Sequence, residues 1–331
     1  MASSAWSSFH VYLSEPVKVS GFLTQCVLPL AQSLVKERRA SRWFFIRYWE
    51  GGPHVRLRLQ DLSAGDARTV RDALRTAARD WASEHPPTRE EYYGSHAFDG
   101  KPVDVASLPW YGEGAVVEIA YEPEVQRYGG TLALPINERL FQLSSTISIA
   151  VIRSTHAEPA RRLSFALALM IGTLLAHDAS PESLSSFFEK YAGFWAGYSA
   201  QTRQVQATEL PRSDDFAASI LREIDAQSAR LASGAPSRDA TALWSVGVKD
   251  AAAEWERVYR AGRLVSPLTG AVARDDTAFE AAVRNMLSSQ VHMMNNRLGI
   301  VPAQEVFLSR TLTTAAAMMR AQRDRAAVLA S

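Results

Sequence analysis

Trp43-Phe-Phe-Ile-Arg-Tyr48, then Gly51-Gly52-Pro53, then His54-Val-Arg-Leu-Arg-Leu59 is the stretch on which the fold turns. Its first part is aromatic and β-branched, the glycine pair with proline marks a turn, and the last part alternates strictly. The two pieces therefore read as a hairpin. With a side-chain period of two, Val55, Leu57 and Leu59 share one face of the second strand, and His54, Arg56 and Arg58 share the other. One face suits a core, while the opposite face carries two guanidinium groups and an imidazole.

Working outward, Phe9-His-Val-Tyr-Leu13 alternates as a half-buried strand. Val19 to Arg38 has apolar residues at helical spacing (Phe22, Cys26, Leu30, Leu34), with Pro29 expected to kink it. Downstream, Asp66 to Glu84 is amphipathic, with Val70, Leu74, Ala77, Ala78 and Trp81 on one side. After a loop rich in Pro, Tyr and Gly (Pro86 to Gly114), Val116 to Tyr121 reads as a fourth strand. The order β-α-β-β-α-β predicts a ferredoxin-like mixed sheet with two helices on one face.

From Leu134 the strand signals stop. Residues 136–155, 158–178, 181–199, 213–232, 240–263, 276–298 and 302–329 have helical patterning. Their boundaries are set by Pro159, Pro181, Pro211, Gly234-Ala-Pro-Ser237, Pro267 with Gly270, and Pro302. Ser180 is expected to cap the helix whose first turn holds Pro181. The predicted class is α+β. Residues 1–130 form the ferredoxin-like part, and residues 131–331 form a largely helical part packed on it as one functional unit.

Composition narrows the function. The 331 residues are 47% hydrophobic and 21% charged, as in an ordinary globular protein, which excludes a disordered or fibrous chain. A formal charge of +1 lacks the basic excess of a nucleic-acid binder. The single cysteine, Cys26, excludes an internal disulfide and a multi-cysteine metal site, and fits a reducing cytoplasm. The N-terminus lacks a secretory pattern. The longest apolar run, Leu163 to Ala176, is roughly 14 residues where a membrane span needs about 20. A cytoplasmic protein without membrane or direct nucleic-acid contact is expected, and no metal or organic cofactor is suggested. The helical bulk is compatible with a homodimer.

Three islands carry candidate chemistry. His54, Arg56 and Arg58 form either an anion-reading surface or a solvated face whose arginines pair with Glu118 or Glu122. In Tyr121-Glu-Pro-Glu-Val-Gln-Arg-Tyr-Gly-Gly130, Arg127 and Tyr128 precede a glycine pair in a tight connection. That cation either binds a ligand or satisfies loop carbonyls. In Ser288-Ser-Gln-Val-His-Met-Met-Asn-Asn-Arg-Leu298, His292 lies one helical turn from Ser288 and Ser289 and one turn from Asn295 and Asn296. It is either a core histidine or a general base kept neutral by nearby arginines. Phosphate-loop, His-Glu-x-x-His and Gly-x-Ser-x-Gly patterns are absent. His177-Asp178 reads as a helix end, and Trp43, Trp81, Trp195 and Trp255 read as core filling.

Taken in order, the hairpin, the Arg127-Tyr-Gly-Gly130 turn and His292-Met-Met-Asn-Asn-Arg-Leu298 resemble two related groups. These are the C-terminal domain of class I lantibiotic dehydratases and the stand-alone thiopeptide-type bacteriocin biosynthesis proteins. The resemblance implies action on a ribosomally made precursor peptide. In the elimination branch, a partner enzyme esterifies Ser or Thr with glutamate from glutamyl-tRNA. The domain then expels glutamate to leave a dehydroamino acid. Matching positions imply that Arg56, Arg58, Arg127 and His292 are catalytic, with His54, Tyr128, Ser289, Asn296 and Arg297 lining the substrate. Arginines would hold the glutamyl group and stabilise developing negative charge, with His292 as base or proton carrier. The large esterifying domain of the fused forms does not precede these motifs here, so a separate dehydratase subunit is the expected partner. Pyridine synthases share the layout but join two dehydroalanines and release the leader peptide. A cycloaddition needs less anion binding, so the four residues favour elimination. A non-catalytic subunit that captures a leader peptide by strand addition is the remaining alternative.

Overall fold

Alternation places Phe9 and Val11 of β1 (Trp6–Tyr12) beside Val55, Leu57 and Leu59 of β3 (His54–Gln60), all fully buried in one apolar layer. In the computed structural model, residues 6–94, 104–178, 180–197, 214–234, 237 and 239–330 are described. The first five residues, positions 95–103 of the Pro/Tyr/Gly-rich loop, positions 198, 199 and 213 of two expected helices, Pro211, and positions 235 and 236 lie outside them.

With β2 (Trp43–Tyr48) and β4 (Val116–Glu118), the strands form one four-stranded sheet in the order β2-β3-β1-β4. Each neighbouring strand pair is antiparallel, which corrects the expected mixed sheet. The physical reason is the placement of β3. The strands β1 and β2 run in the same direction, joined by a helical crossover, but β3 inserts between them and pairs antiparallel with both. β4 is shorter than Val116 to Tyr121. The chain leaves β1 ahead of Pro123, and the Tyr121 ring packs edge-on against Trp6 at 5.8 Å and Phe44 at 5.9 Å.

The crossover comprises α1 (Pro16–Phe22), a π-helical turn (Leu23–Val27) and α2 (Leu28–Lys36), which run on without a break. Where Pro29 predicts a kink, the chain instead widens one turn. The Leu28 N–H reaches Leu23 O, just ahead of the residue that has no N–H to give. α3 (Ala64–Trp81) starts at Ser63, whose hydroxyl accepts from the Asp66 N–H. Phe22, Val27, Leu34, Val70 and Leu74 from these helices complete the core over the apolar sheet face. A short helix, α4 (Arg89–Gly94), occupies part of the stretch read as loop.

The second half is helical: α5 (Leu134–Ser154), α6 (Arg162–Leu175), α7 (Pro181–Ala196), α8 (Asp214–Ser233), α9 (Ala240–Arg260), α10 (Asp276–Leu298) and α11 (Pro302–Ala330). Ser180 caps α7 by accepting from the Ser183 N–H, as its position ahead of Pro181 predicts. The core here is built on Trp244, Trp255, Met286 and Leu287. α5 serves both cores: Ile149 and Ile152 pack under the sheet helices, and Ile147 and Val151 pack in the helical half.

The two halves meet along the open edge of β2, and side chains close it. The Phe45 N–H donates to Ser145 Oγ at 3.1 Å, and its carbonyl accepts from Arg297 Nε at 2.8 Å. The Arg47 N–H donates to Asn296 Oδ1 at 2.9 Å, and its carbonyl accepts from Asn296 Nδ2 at 2.9 Å. Backbone groups that an edge strand leaves unpaired are thus satisfied by α5 and α10. This docking sets α10, which carries His292, against the sheet. No described helix is long and apolar enough to cross a membrane.

Candidate active site

The polar face of β3 lies away from α1–α3. The β1–β3 register places Ser8 opposite Arg58, His10 opposite Arg56 and Tyr12 opposite His54. His54 donates from Nδ1 to Gly52 O at 2.7 Å, which leaves Nε2 to accept from Arg56 Nε at 3.0 Å. The Arg56 guanidinium stacks 3.5 Å from the Tyr48 ring centroid. Arg58 lies 4.2 Å from Tyr121 and 5.2 Å from Phe44, and its Nε is buried without a hydrogen-bond partner among the described residues. Among the described residues no carboxylate comes within ion-pair distance of either arginine. Glu118 is taken by Arg71 of α3 at 3.1 Å, so the strand-pairing alternative is not realised there. Burial lowers the pKa of both groups, that of Arg58 to about 10. Two cations half-sunk on aromatic faces, with no carboxylate in direct ion-pair contact among the described residues, form a surface that favours an incoming anion.

His10 and His54 stack at 4.9 Å. Burial, followed for His10 by Arg56, His54 and Arg58, pulls their pKa values down from 6.5 to about 3 and about 4. Both imidazoles are therefore neutral near pH 7. Because the unfolded chain binds the extra protons, stability is expected to fall as pH drops from 6.5 towards 4. Denaturant midpoints across that window check this. His10→Phe should flatten the decline, and an unchanged slope would refute the assignment.

The turn after β4 carries Arg127. Its Nε donates to Ser289 Oγ on α10 at 3.1 Å, and its Nη1 pairs with Glu124 at 3.0 Å. Gly129 and Gly130 follow at φ +84° and +94°, and a Cβ on Gly129 would come within 2.8 Å of Met286 Sδ. Only glycine fits this bend. The turn is tied down from behind by Asn137, which donates to Tyr128 O at 3.1 Å and accepts from Gln290 Nε2 at 2.8 Å.

One helical turn past Ser289, His292 is 16% exposed and stacks on Trp195 of α7 at 4.1 Å. Its Nδ1 faces Glu305 Oε1 at 3.0 Å. Glu305 of α11 is fully buried, and its second oxygen accepts from Asn295 Nδ2 at 3.3 Å and from the Tyr191 hydroxyl. Burial, then the Glu305 charge, holds the Tyr191 phenol well above its usual pKa.

Of the four residues expected to be catalytic, Arg56 and Arg58 lie on the polar sheet face, and Arg127 bonds to the helix that carries His292. Arg127 and His292 are linked through Ser289 on α10. The charges of Arg56 and Arg127 both act on the Tyr48 phenol, and that of Glu124, the partner of Arg127, acts on Arg58. The other expected residues divide. Ser289 and His54 touch the arginines directly. Asn296 and Arg297 are engaged by β2, and Tyr128 is buried with its ring edge-on to Phe141 at 4.8 Å. Glu305, Tyr191 and Trp195 were not singled out for chemistry from the sequence. Trp195 reads there as core filling. Nothing in the pattern couples Glu305 or Trp195 to His292, because packing among α7, α10 and α11 makes the contact. A cleft of about 400 Å³ near Ser14, Pro53, His85 and Tyr92 includes none of the four. No group of three or more His, Cys, Asp or Glu among the described residues is placed to hold a metal ion.

Comparison with solved structures finds likenesses that span nearly the whole of this chain. TsrL superposes with a TM-score of 0.64 at 16% identity, covering 95% of this chain and 94% of that one. TbtD, a pyridine synthase from thiomuracin biosynthesis, gives 0.67 at 16% identity, covering 95% and 98%. The tRNA-dependent lantibiotic dehydratase MibB from Microbispora sp. 107891 gives 0.54 at 18% identity, with 98% of this chain matching 29% of that one. These likenesses show a common fold. No curated protein matches the chain. The family described as lantibiotic biosynthesis dehydratase C-term matches residues 6–316, nearly the whole polypeptide, and the chain belongs to that family.

Proposed function

We propose that the protein eliminates glutamate from glutamylated Ser or Thr residues of a ribosomally made precursor peptide. The observation that carries this reading is the pair Arg56 and Arg58. They are partly buried and free of carboxylate partners among the described residues, and Arg127 bonds through Ser289 to the helix whose imidazole is anchored on a carboxylate. Elimination breaks the Cα–H and Cβ–O bonds of the esterified residue and forms the Cα=Cβ bond. The proton passes to His292, and the electron pair leaves with the glutamate carboxylate. Negative charge grows on the enolate-like carbonyl and on the leaving group, where Arg56, Arg58 and Arg127 stabilise it. His54 and Ser289 position Arg56 and Arg127 by direct hydrogen bonds. Asn296 and Arg297 support the site by holding α10 on β2.

This role requires a dehydratase partner that supplies the glutamyl ester, and a glutamyl-tRNA-dependent partner places the reaction in the cytoplasm. Residues 1–130 and 131–331 act as one unit, since the arginines come from one and the imidazole from the other. The strand order and the helices between β1 and β2 and between β3 and β4 support reading the sheet layer as ferredoxin-like.

Incubation with a glutamylated precursor tests the reading. Mass spectrometry should show free glutamate and a dehydrated peptide, and persistence of the ester would refute it. The full-length likeness to TbtD favours a second reading, pyridine formation, on fold alone. A dehydrated, azole-bearing peptide would then lose its leader. Strand addition at β2 is disfavoured, because Phe45 and Arg47 already have backbone partners.

A further inference from the structure

The buried carboxylate beside His292 is not accounted for by the elimination chemistry alone. Glu305 is fully buried, and three polar groups converge on it from two other helices: His292 Nδ1 and Asn295 Nδ2 from α10, and the Tyr191 hydroxyl from α7. A carboxylate shut away from water is costly unless such groups surround it. Asn295 and Tyr191 are both donors to Oε2, which leaves Oε1 to accept from the imidazole. Nε2 of His292 makes no hydrogen bond among the described residues, and the Trp195 ring fixes the imidazole plane.

We propose that Glu305 is the positioning residue for His292, holding the imidazole as the Nδ1–H tautomer so that Nε2 presents its lone pair to the substrate Cα–H. The inference deepens the elimination reading and rests on it for the role of Nε2. Tyr191 and Asn295 orient the carboxylate, and Trp195 prevents the ring from turning away. A carboxylate-to-amide change in such a pair keeps the shape but permits the amide N–H to donate to Nδ1, which selects the wrong tautomer. A carboxylate that only tied three helices together would leave the tautomer and the base unaffected by that change.

The test is 15N NMR of the full chain labelled at histidine, with the His292 signals identified by their loss in His292→Gln. At pH 8.5 the wild type should show a protonated Nδ1 and an unprotonated Nε2. Glu305→Gln should move the proton to Nε2 and lower kcat for glutamate release by on the order of 10²-fold or more, with KM within about threefold. Tyr191→Phe, which keeps the carboxylate, should retain Nδ1–H. A wild-type imidazole protonated at Nε2, or at both nitrogens, would overturn the proposal whether or not Glu305→Gln folds. So would a folded Glu305→Gln that keeps Nδ1–H. The readouts separate the two claims. If the tautomer behaves as stated but no glutamate is released, the pair stands and the elimination reading falls. Release without the tautomer change has the opposite meaning.

Discussion

Replacing His292 with alanine is expected to lower turnover of a glutamylated precursor by about 10²–10⁴-fold, the usual contribution of a positioned base. Esterified intermediates should then accumulate in the mass spectrum. The size of the effect follows from the lack of a substitute. Glu305 is buried behind the imidazole, and His10 and His54 lie on the sheet face, the latter bonded through both ring nitrogens. KM should change little, because Arg56, Arg58 and Arg127 remain to bind the anion. The variant loses the stack on Trp195 and one donor to Glu305, a cost of about 1–3 kcal/mol. Domains of ordinary stability, about 5–15 kcal/mol, tolerate such a loss. Circular dichroism should therefore report a folded chain with a lowered melting temperature. Turnover within about threefold of wild type in a folded variant would remove His292 from the chemistry.

The largest stability effect is expected at Gly129→Ala. With φ at +84°, any side chain there is strained, and the new Cβ would sit 2.8 Å from Met286 Sδ and 2.9 Å from Ala133 Cβ. The left-handed conformation costs about 1–2 kcal/mol and overpacking a further 1–3 kcal/mol, so a loss of about 2–5 kcal/mol is expected. Urea denaturation measures it. Gly193→Ala, on α7 with no atom within 4 Å of the added Cβ, should be neutral or slightly stabilising. Equal midpoints for the two variants would refute the argument. The change should also reduce activity beyond its effect on stability. Met286 lies on α10 and the glycine bend holds Arg127 against Ser289 of the same helix, so displacement would separate the guanidinium from the imidazole.

Local chemistry made much of this legible in the sequence. Strict alternation in His54–Leu59 places Arg56 and Arg58 on one face whatever lies around them, since the strand period is a property of the backbone. Proline boundaries and apolar spacing located the long helices, and Ser180 ahead of Pro181 marked a cap that forms. The departures arise where a neighbour decides the outcome. Pro29 sits beside a π-helical turn because the surrounding helix remains packed on the sheet. Trp195 looks like core filling in a one-dimensional pattern, yet it faces His292 because α7 packs there. Asn296 and Arg297 share a motif with His292, but helical rotation turns them towards β2.

By itself, the amino-acid sequence determined the α+β class, the helical half, the two-sided hairpin and the motifs that mark the family. Each depends on periodicity, turn chemistry or residue identity, which act over a few neighbours. Only tertiary structure decided that the sheet is wholly antiparallel, that β2 is closed by α5 and α10, and that Arg71 takes Glu118 while Arg56 and Arg58 have no such partner among the described residues. It also decided that a carboxylate from α11 supports an imidazole on α10. Those outcomes depend on which distant groups share a low-dielectric interior, where each polar atom must find a partner, and backbone periodicity does not encode that choice.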